Sequence, residues 1–478
     1  MSTTATALPS FASIAPPPLL RTWNKRDPAS VIRMRAADLP GMTALPVRAL
    51  MPKLPAPIWA ADPAFGPTGV EAVRERTRAV VARMDWSRIG RGKRVHLLAN
   101  PHGFFLSGEA YVVMLEEIAA HVRSTRGADV RLRIAESMGH IENPDWMRIH
   151  DLPGRFGNAK ECPQIGKGVK ADTRLGPFWL THELFAGDFF IHTHVTEMRE
   201  GYLHRMLDRL YKPFGMAYTR VEARSAYHTG FGPRTGQLVS RAVFESEFIQ
   251  QRYAGTVVLD TTSEGVIGVD GDFDLDALDR RLAGNVLRNY GTLIRLLGEI
   301  DQCTVIFDGH GTTIYTYAGG IAFDNLFCAD TDFLDLDNLS LMAAASVRKR
   351  SEPGLTMGHN PAIKCIVLNY MAGGVPTTSL LQEYPTLVVG EQMYRWMIND
   401  PSNTYLAQCT AQTPDLPTAM RVARNIAGTD QVIAFDRTPG ALRVSESLAR
   451  RLLERAPAVA EDVEKNRLPK WLSQRGLA

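Results

Sequence analysis

Apolar and polar positions alternate along this chain with two periods, and the elements they predict come first. Residues 68–85, TGVEAVRERTRAVVARMD, carry apolar residues at helical spacing with charge between them. That pattern predicts an amphipathic helix with Thr68 as its cap. Arg94–Ala99 then reads as a strand, Asn100–Gly103 as a loop, Glu109–Ser124 as a helix and Val130–Ala135 as a second strand. Strand, loop, helix and strand in that order predict a βαβ unit with a parallel pair. Phe189-Phe190-Ile191 reads as a buried strand that continues through His194. Gly255–Asp260 and Gly265–Asp270 read as a strand pair joined by a polar turn. Over 274–299, Leu275, Leu278, Leu282, Val286, Tyr290, Leu293 and Leu297 recur every three or four residues, the stripe of a core-packed helix.

Cys303–Phe307, Ile363–Asn369, Thr386–Val389 and Gln431–Phe435 are further strands. Helices near Pro417–Ile426 and Val444–Arg455 alternate with them, the second stopped by Pro457. This alternation predicts an α/β protein: two α/β domains with mostly parallel sheets and a cleft between them, over 66–254 and 255–478. Residues 1–65, rich in Pro, Ala and Met and without a clean period, read as an extended arm. The arm lies across the surface or onto a partner subunit, which would make the protein a homo-oligomer.

Composition narrows the class. The chain has 478 residues, 45% hydrophobic and 22% charged, with a formal net charge of +3. That is the balance of a globular protein, and it gives no electrostatic footprint for nucleic acid. No run approaches the length of a membrane span, and the proline-broken N-terminus lacks the basic start of a secretory signal. Cys162, Cys303, Cys328, Cys365 and Cys409 are odd in number and show no CxxC spacing. They read as reduced thiols of a cytoplasmic protein.

Histidines carry the candidate chemistry. Five of the twelve fall between His182 and His228, and His192 and His194 stand two positions apart. Residues i and i+2 of a strand point to one side, so both imidazoles reach one face. There they serve either as metal ligands or as proton acceptors and donors. In parallel sheets the loops at the carboxyl ends of strands line the ligand crevice. Asn100 and His102 follow the first strand, Ser137–His140 the second, and His192 and His194 end the next. Asp308-Gly-His310-Gly-Thr-Thr follows a later strand, with glycines that admit close backbone approach and an Asp beside the His. Met357-Gly-His359-Asn360 is a further polar loop. Asp330, Asp332, Asp335 and Asp337 read as a solvated face, with cation binding as the sharper alternative. The tail, with Lys465, Arg467, Lys470 and Arg475, reads as a solvated end.

The layout resembles the nickel-dependent lactate racemase family. Ala135-Glu-Ser-Met-Gly-His140 is similar to that family's first histidine turn, and His194, after GDFFIHTH, to its second. Gly319-Gly-Ile-Ala-Phe-Asp324 is similar to its Gly-Gly-x-Pro-x-Asp segment. The resemblance covers about residues 90–340. It implies a racemase or epimerase acting on a small 2-hydroxy acid or related carboxylate, with His140 and His194 as opposed proton acceptors. It also implies a nickel-pincer nucleotide attached to a Lys, with a further His on the metal. The chain departs from the family in two places. ANPHGFF replaces the Asp-x-Thr-Arg-Pro loop, leaving Asn100, His102 and His310 as substrate contacts. His204 stands where the Lys is expected, and the nearest Lys is Lys212, followed by Pro213. His192, His204 and His228 are then the candidate metal ligands.

Two other readings compete. His192-x-His194 is also similar to the first ligand pair of amidohydrolase barrels, with His310, His359 and Asp436 following in a compatible order. That points to a divalent-metal hydrolase using zinc. In the third reading the histidines hold a metal or cofactor without catalysis.

Overall fold

The computed structural model describes residues 14–16, 34–136, 145–199, 201, 205–226, 232–309, 317–338, 360–370, 384–398 and 410–477. The chain is α/β, and its described residues gather into two compact units. Those between Pro55 and Asn289 form one. Those within Met1–Leu54, Tyr290–Arg348 and Thr356–Gln474 form the other. No described helix is long and apolar enough to cross a membrane.

The strands in chain order begin with β1 (Met42–Pro46), which belongs to the second unit. In the first unit β2 (Arg94–Ala99), β3 (Asp129–Ala135) and β4 (Ala159–Cys162) are followed by a separate hairpin, β5 (Gly168–Thr173) and β6 (Gly176–Thr181). Then come β7 (Phe189–Val195), β8 (Tyr253–Thr262) and β9 (Gly265–Asp272). They form a six-stranded sheet ordered β4-β3-β2-β7-β8-β9, parallel except for β9. The chain runs outward from β2 to β4, then returns to the other side of β2 as β7. The direction of winding therefore switches between β2 and β7. Ligand crevices of open α/β sheets lie at such a switch, outside the carboxyl ends of the strands.

The boundary expected between 254 and 255 is corrected here. All ten residues of β8 are buried. A strand buried along its whole length needs a partner on each side, and β7 and β9 provide them. The division falls instead at Asn289/Tyr290, inside the helix Leu275–Leu297, whose seven-residue stripe is buried as expected.

Asn100–Gly103 is not a free loop. Asn100 caps a helix, Pro101–Arg126, by accepting the His102 N–H at 3.0 Å. Proline is tolerated at that first position because its missing N–H would be unpaired in any case. Gly108 interrupts this helix at φ 44°, ψ −120°, a conformation open to glycine. Thr68 is not a cap, since the helix Glu71–Arg83 begins after Val70.

In the second unit β10 (Cys303–Asp308), β11 (Ile363–Tyr370), β12 (Thr386–Val389), β13 (Thr410–Thr413) and β14 (Val432–Phe435) are parallel. β15 (Ala441–Ser445) runs antiparallel to β14, and β1 antiparallel to β15. The order is β1-β15-β14-β10-β11-β12-β13. Residues 42–46, expected as part of a free arm, are thus the edge strand of this chain's own sheet. Pro46 sits where an edge tolerates a missing donor. Residues 1–13 and 17–33 of that arm lie outside the described residues.

Pro457 does not stop the last long helix, which runs Glu446–Asp462. Leu448, Leu452, Ala456 and Val459 continue one buried stripe through it, so packing on both sides of the proline outweighs the lost hydrogen bond. The tail beyond it is docked, not solvated, and Trp471 is fully buried. Its cations neutralise the acidic run: Arg467 lies 2.6 Å from Asp332, and Lys470 lies 2.8 Å from Asp335. Asp332 and Asp335 are therefore an ion-paired docking face for the tail rather than the solvated face expected.

Candidate functional site

Strand alternation divides β7 between two tasks. Thr193 donates to the Leu98 carbonyl of β2 at 2.7 Å and meets the Tyr111 hydroxyl at 2.6 Å. Tyr111 in turn accepts the Asn100 N–H at 3.0 Å. This chain of neutral bonds ties the end of β7 to the end of β2. The ring of Tyr111 reaches it because Gly103 has no Cβ, which would stand 2.4 Å from that ring. His192 and His194 share one side of the strand, with ring centroids 5.9 Å apart.

Their surroundings differ. His192 is enclosed by aromatic rings, 5.3 Å from Phe214 and 5.6 Å from Tyr218, and its Nδ1 lies 2.6 Å from the Tyr218 hydroxyl. Burial, and next the nearby His194, hold its pKa well below the ordinary value. It is a neutral ring built into the core. His194 lies one turn of the pleat nearer the strand end. Its Nδ1 is 2.6 Å from the Val195 carbonyl oxygen and accepts the Val195 N–H at 2.8 Å. A proton on Nδ1 donates to the carbonyl, and a bare Nδ1 accepts the amide. The backbone therefore serves both tautomers.

The segment after β7 brings charge. Glu197 accepts the Arg199 N–H at 2.5 Å and is ion-paired with the Arg209 guanidinium. Arg209 also donates to the Arg199 carbonyl at 2.5 Å. Arg199 donates to Nδ1 of His102 at 3.1 Å, which leaves the proton of neutral His102 on Nε2. Lys212, at the start of the short helix Lys212–Gly215, is buried, as are Glu197, Arg199 and Arg209. Arg199 and Arg209 thus face the Glu197 carboxylate, and Lys212 is a third buried cation near His194. Burial first, then Arg209, Lys212 and Arg199, push His194 down to about 3. Burial, then Arg199, Lys212, His194 and Arg209, push His102 well below its ordinary value. Further along the strand ends, Thr196 donates to Asp260 at 3.0 Å, and Asn285 donates to the same carboxylate at 2.9 Å.

The structure thus brings together Asn100, His102, His192 and His194 of the expected site residues. His140, His204, His228, His310 and His359 lie outside the described residues. Asp436, a candidate ligand in the hydrolase reading, belongs to the other unit and is paired with Arg443 at 2.8 Å. The described strands form open sheets, not the closed barrel which that reading needs. Among the described residues no group of three or more His, Cys, Asp or Glu is placed to hold a metal ion. His192 and His194 alone do not make a metal site, and the other two expected ligands, His204 and His228, are among the residues not described.

Sequence reasoning missed Glu197, Arg199 and Arg209, and it set Lys212 aside as a departure. The available signal was the alternation of charge in Glu197-Met-Arg199 directly after a buried strand. An open polar cleft of about 460 Å³, lined by Arg94, Asp129, Asp188 and Arg252, lies at the opposite, amino ends of β2, β3 and β7. It holds none of these groups. Compared with the models of known protein families and with curated proteins, the chain matches none of them.

Proposed function

We propose that the carboxyl end of the six-stranded sheet is the active site of an enzyme that racemises or epimerises a small 2-hydroxy acid or related carboxylate, with His194 as a proton acceptor. The observation that carries this reading is the setting of His194. It is a neutral imidazole whose basicity is lowered first by burial and then by Arg209, Lys212 and Arg199, with a backbone partner for either tautomer. A substrate carboxylate placed among those cations offsets their charge and raises the pKa of His194 toward the working range of a base. The base is then strong only when substrate is bound. His102, with its proton on Nε2, is a hydrogen-bond donor for a substrate oxygen. Inverting a carbon centre takes a second group on the opposite face, and the resemblance assigns that to His140. A nickel-pincer cofactor of the kind found in the resembled family, were it bound here, would supply hydride-accepting chemistry, with His194 left to take the hydroxyl proton. Lys212, a buried lysine near His102 and His194, would be the residue to hold it.

The test is interconversion of each enantiomer of lactate and its short-chain homologues, followed by chiral chromatography. In deuterium oxide, solvent label at Cα separates proton abstraction from hydride transfer. Wild type should interconvert at least one pair, and His194→Ala should lose about 10²–10⁴-fold in rate while keeping its fold. Full turnover in His194→Ala would remove the assignment. An intact mass above the sequence mass would support the covalent cofactor.

A further inference from the structure

The second unit repeats the winding of the first. Its chain runs from β10 outward through β11, β12 and β13, then returns beside β10 as β14. The crevice expected of an open α/β sheet therefore lies where β10 and β14 end, at Asp308 and Asp436. Both carboxylates are already committed. Asp308 accepts from Arg35 Nε at 2.9 Å, from the Ala36 N–H at 2.7 Å and from Asn369 at 2.7 Å. Asp436 accepts from Arg443 Nε at 2.8 Å and from the Thr438 N–H at 2.9 Å. Arg35 also donates to the carbonyls of Asp308 and Asp436, at 2.6 Å and 3.3 Å, and so spans both strand ends.

Arg437 follows Asp436 directly in the chain and is a third cation of this region, close enough to Arg35 and Tyr370 to feel them. Its Nε and Nη1 are buried and find no hydrogen-bond partner among the described residues. Its backbone is left-handed, at φ 68°, a conformation a residue with a Cβ rarely adopts outside functional sites. Burial, and next the Arg35 charge, lower its pKa to about 10. A guanidinium out of water and without an acceptor is costly, and the Asp308 and Asp436 carboxylates are already held by Arg35 and Arg443.

We propose that Arg437 is the anchor of a second ligand site, at the carboxyl end of the seven-stranded sheet, which takes the oxyanion of a small molecule, a phosphate or a carboxylate. The planar fork of an arginine matches either group through two parallel hydrogen bonds. With Asp308 and Asp436 each paired, an incoming oxyanion is the group that would satisfy the Arg437 guanidinium. The proposal stands whether or not the assignment of His194 holds.

Hydrogen exchange of the full chain, with inorganic phosphate, succinate or chloride at matched ionic strength, locates the effect. Phosphate or succinate should slow exchange several-fold over chloride in peptides spanning 432–440. Phosphate alone doing so identifies a phosphate ligand, and succinate alone a carboxylate. Arg437→Gln should abolish the slowing without lowering Tm in ligand-free protein, and Arg437→Lys should retain only part of it. No slowing by either anion, slowing that persists in Arg437→Gln, or a Tm loss in that variant would each overturn the proposal. A Tm loss would mean that Arg437 is a structural partner instead.

Discussion

The two sheets wind alike and end differently. Where β2 meets β7, neutral rings and hydroxyls occupy the strand ends, and Arg199, Arg209 and Lys212 lie buried near them together with Glu197. Where β10 meets β14, two carboxylates occupy the strand ends, each held by its own arginine, Arg35 for Asp308 and Arg443 for Asp436. The shared winding explains why a crevice is expected at both places. It does not explain what either one binds, because that depends on side chains the topology does not dictate. At the first, charge is arranged around buried, neutral histidines. At the second, the carboxylates are already neutralised, and the unspent charge is a guanidinium.

Removing Glu197 tests this contrast with the largest expected effect on stability. Glu197→Ala strips the partner from two buried guanidiniums, and breaking a buried pair by deleting one member costs about 3–5 kcal/mol. Asp436→Ala uncovers only Arg443, so its loss in urea denaturation should be the smaller of the two. Glu464→Ala, which breaks an exposed pair with Lys53, should cost no more than about 1 kcal/mol. A Glu197 loss no larger than that of Glu464 would show that the cations around His194 do not depend on it.

Acid should act on the two places in opposite directions. His96, buried in β2 with Nδ1 2.9 Å from the Leu184 carbonyl, is lowered by burial to about 4, and His194 to about 3. A base with a depressed folded pKa contributes its full stability above pH 6.5 and loses it as pH falls toward the folded value. His96 alone removes about 1.4 kcal/mol per pH unit over that range. Asp308 is raised by burial to about 6. Its contribution is fully present below pH 3.8 and is lost as pH rises through 6, so acidification favours its fold. Hydrogen exchange at pH 7 and pH 5 should therefore show protection falling in β2 and β7 before it falls in β10. Equal losses in both sheets would remove the contrast.

Much of the fold was legible because it rests on local period. β2 and β12 begin and end where the apolar runs do, and the stripe from Leu275 to Leu297 packs as its spacing required. What was missed depended on neighbours distant in sequence. β8 looked like the start of a new domain because a continuous apolar run says that a strand is buried but not between which strands. Pro457 looked like a stop because the stripe that carries the helix past it is a tertiary effect. The site was half legible for the same reason. Strand alternation places His192 and His194 on one side, but only the fold shows that aromatic rings enclose the first and cations surround the second. Arg209 and Lys212 lie on an irregular segment with no period to read, and nothing local says that they fold back onto His102 and His194.

The smallest of these effects concerns what holds the strand ends together. At β10 and β14 a charged side chain, Arg35, spans the two ends. At β2 and β7 neutral bonds do so, through Tyr111, Thr193 and the Asn100 amide, and they depend on Gly103. Gly103→Ala would place a methyl 2.4 Å from the Tyr111 ring, which is fully buried and held at its hydroxyl. Overpacking of this kind costs about 1–3 kcal/mol. Alanine's better helix propensity returns up to about 1 kcal/mol. The net effect should be a modest loss of stability together with a clear loss of turnover, because the ring cannot yield without releasing Thr193 and the end of β7. Tyr111→Phe removes the hydroxyl without adding volume and should reproduce the turnover loss with less loss of stability. Turnover unchanged in both variants would show that the neutral bonds only brace the strands and do not set the position of His194.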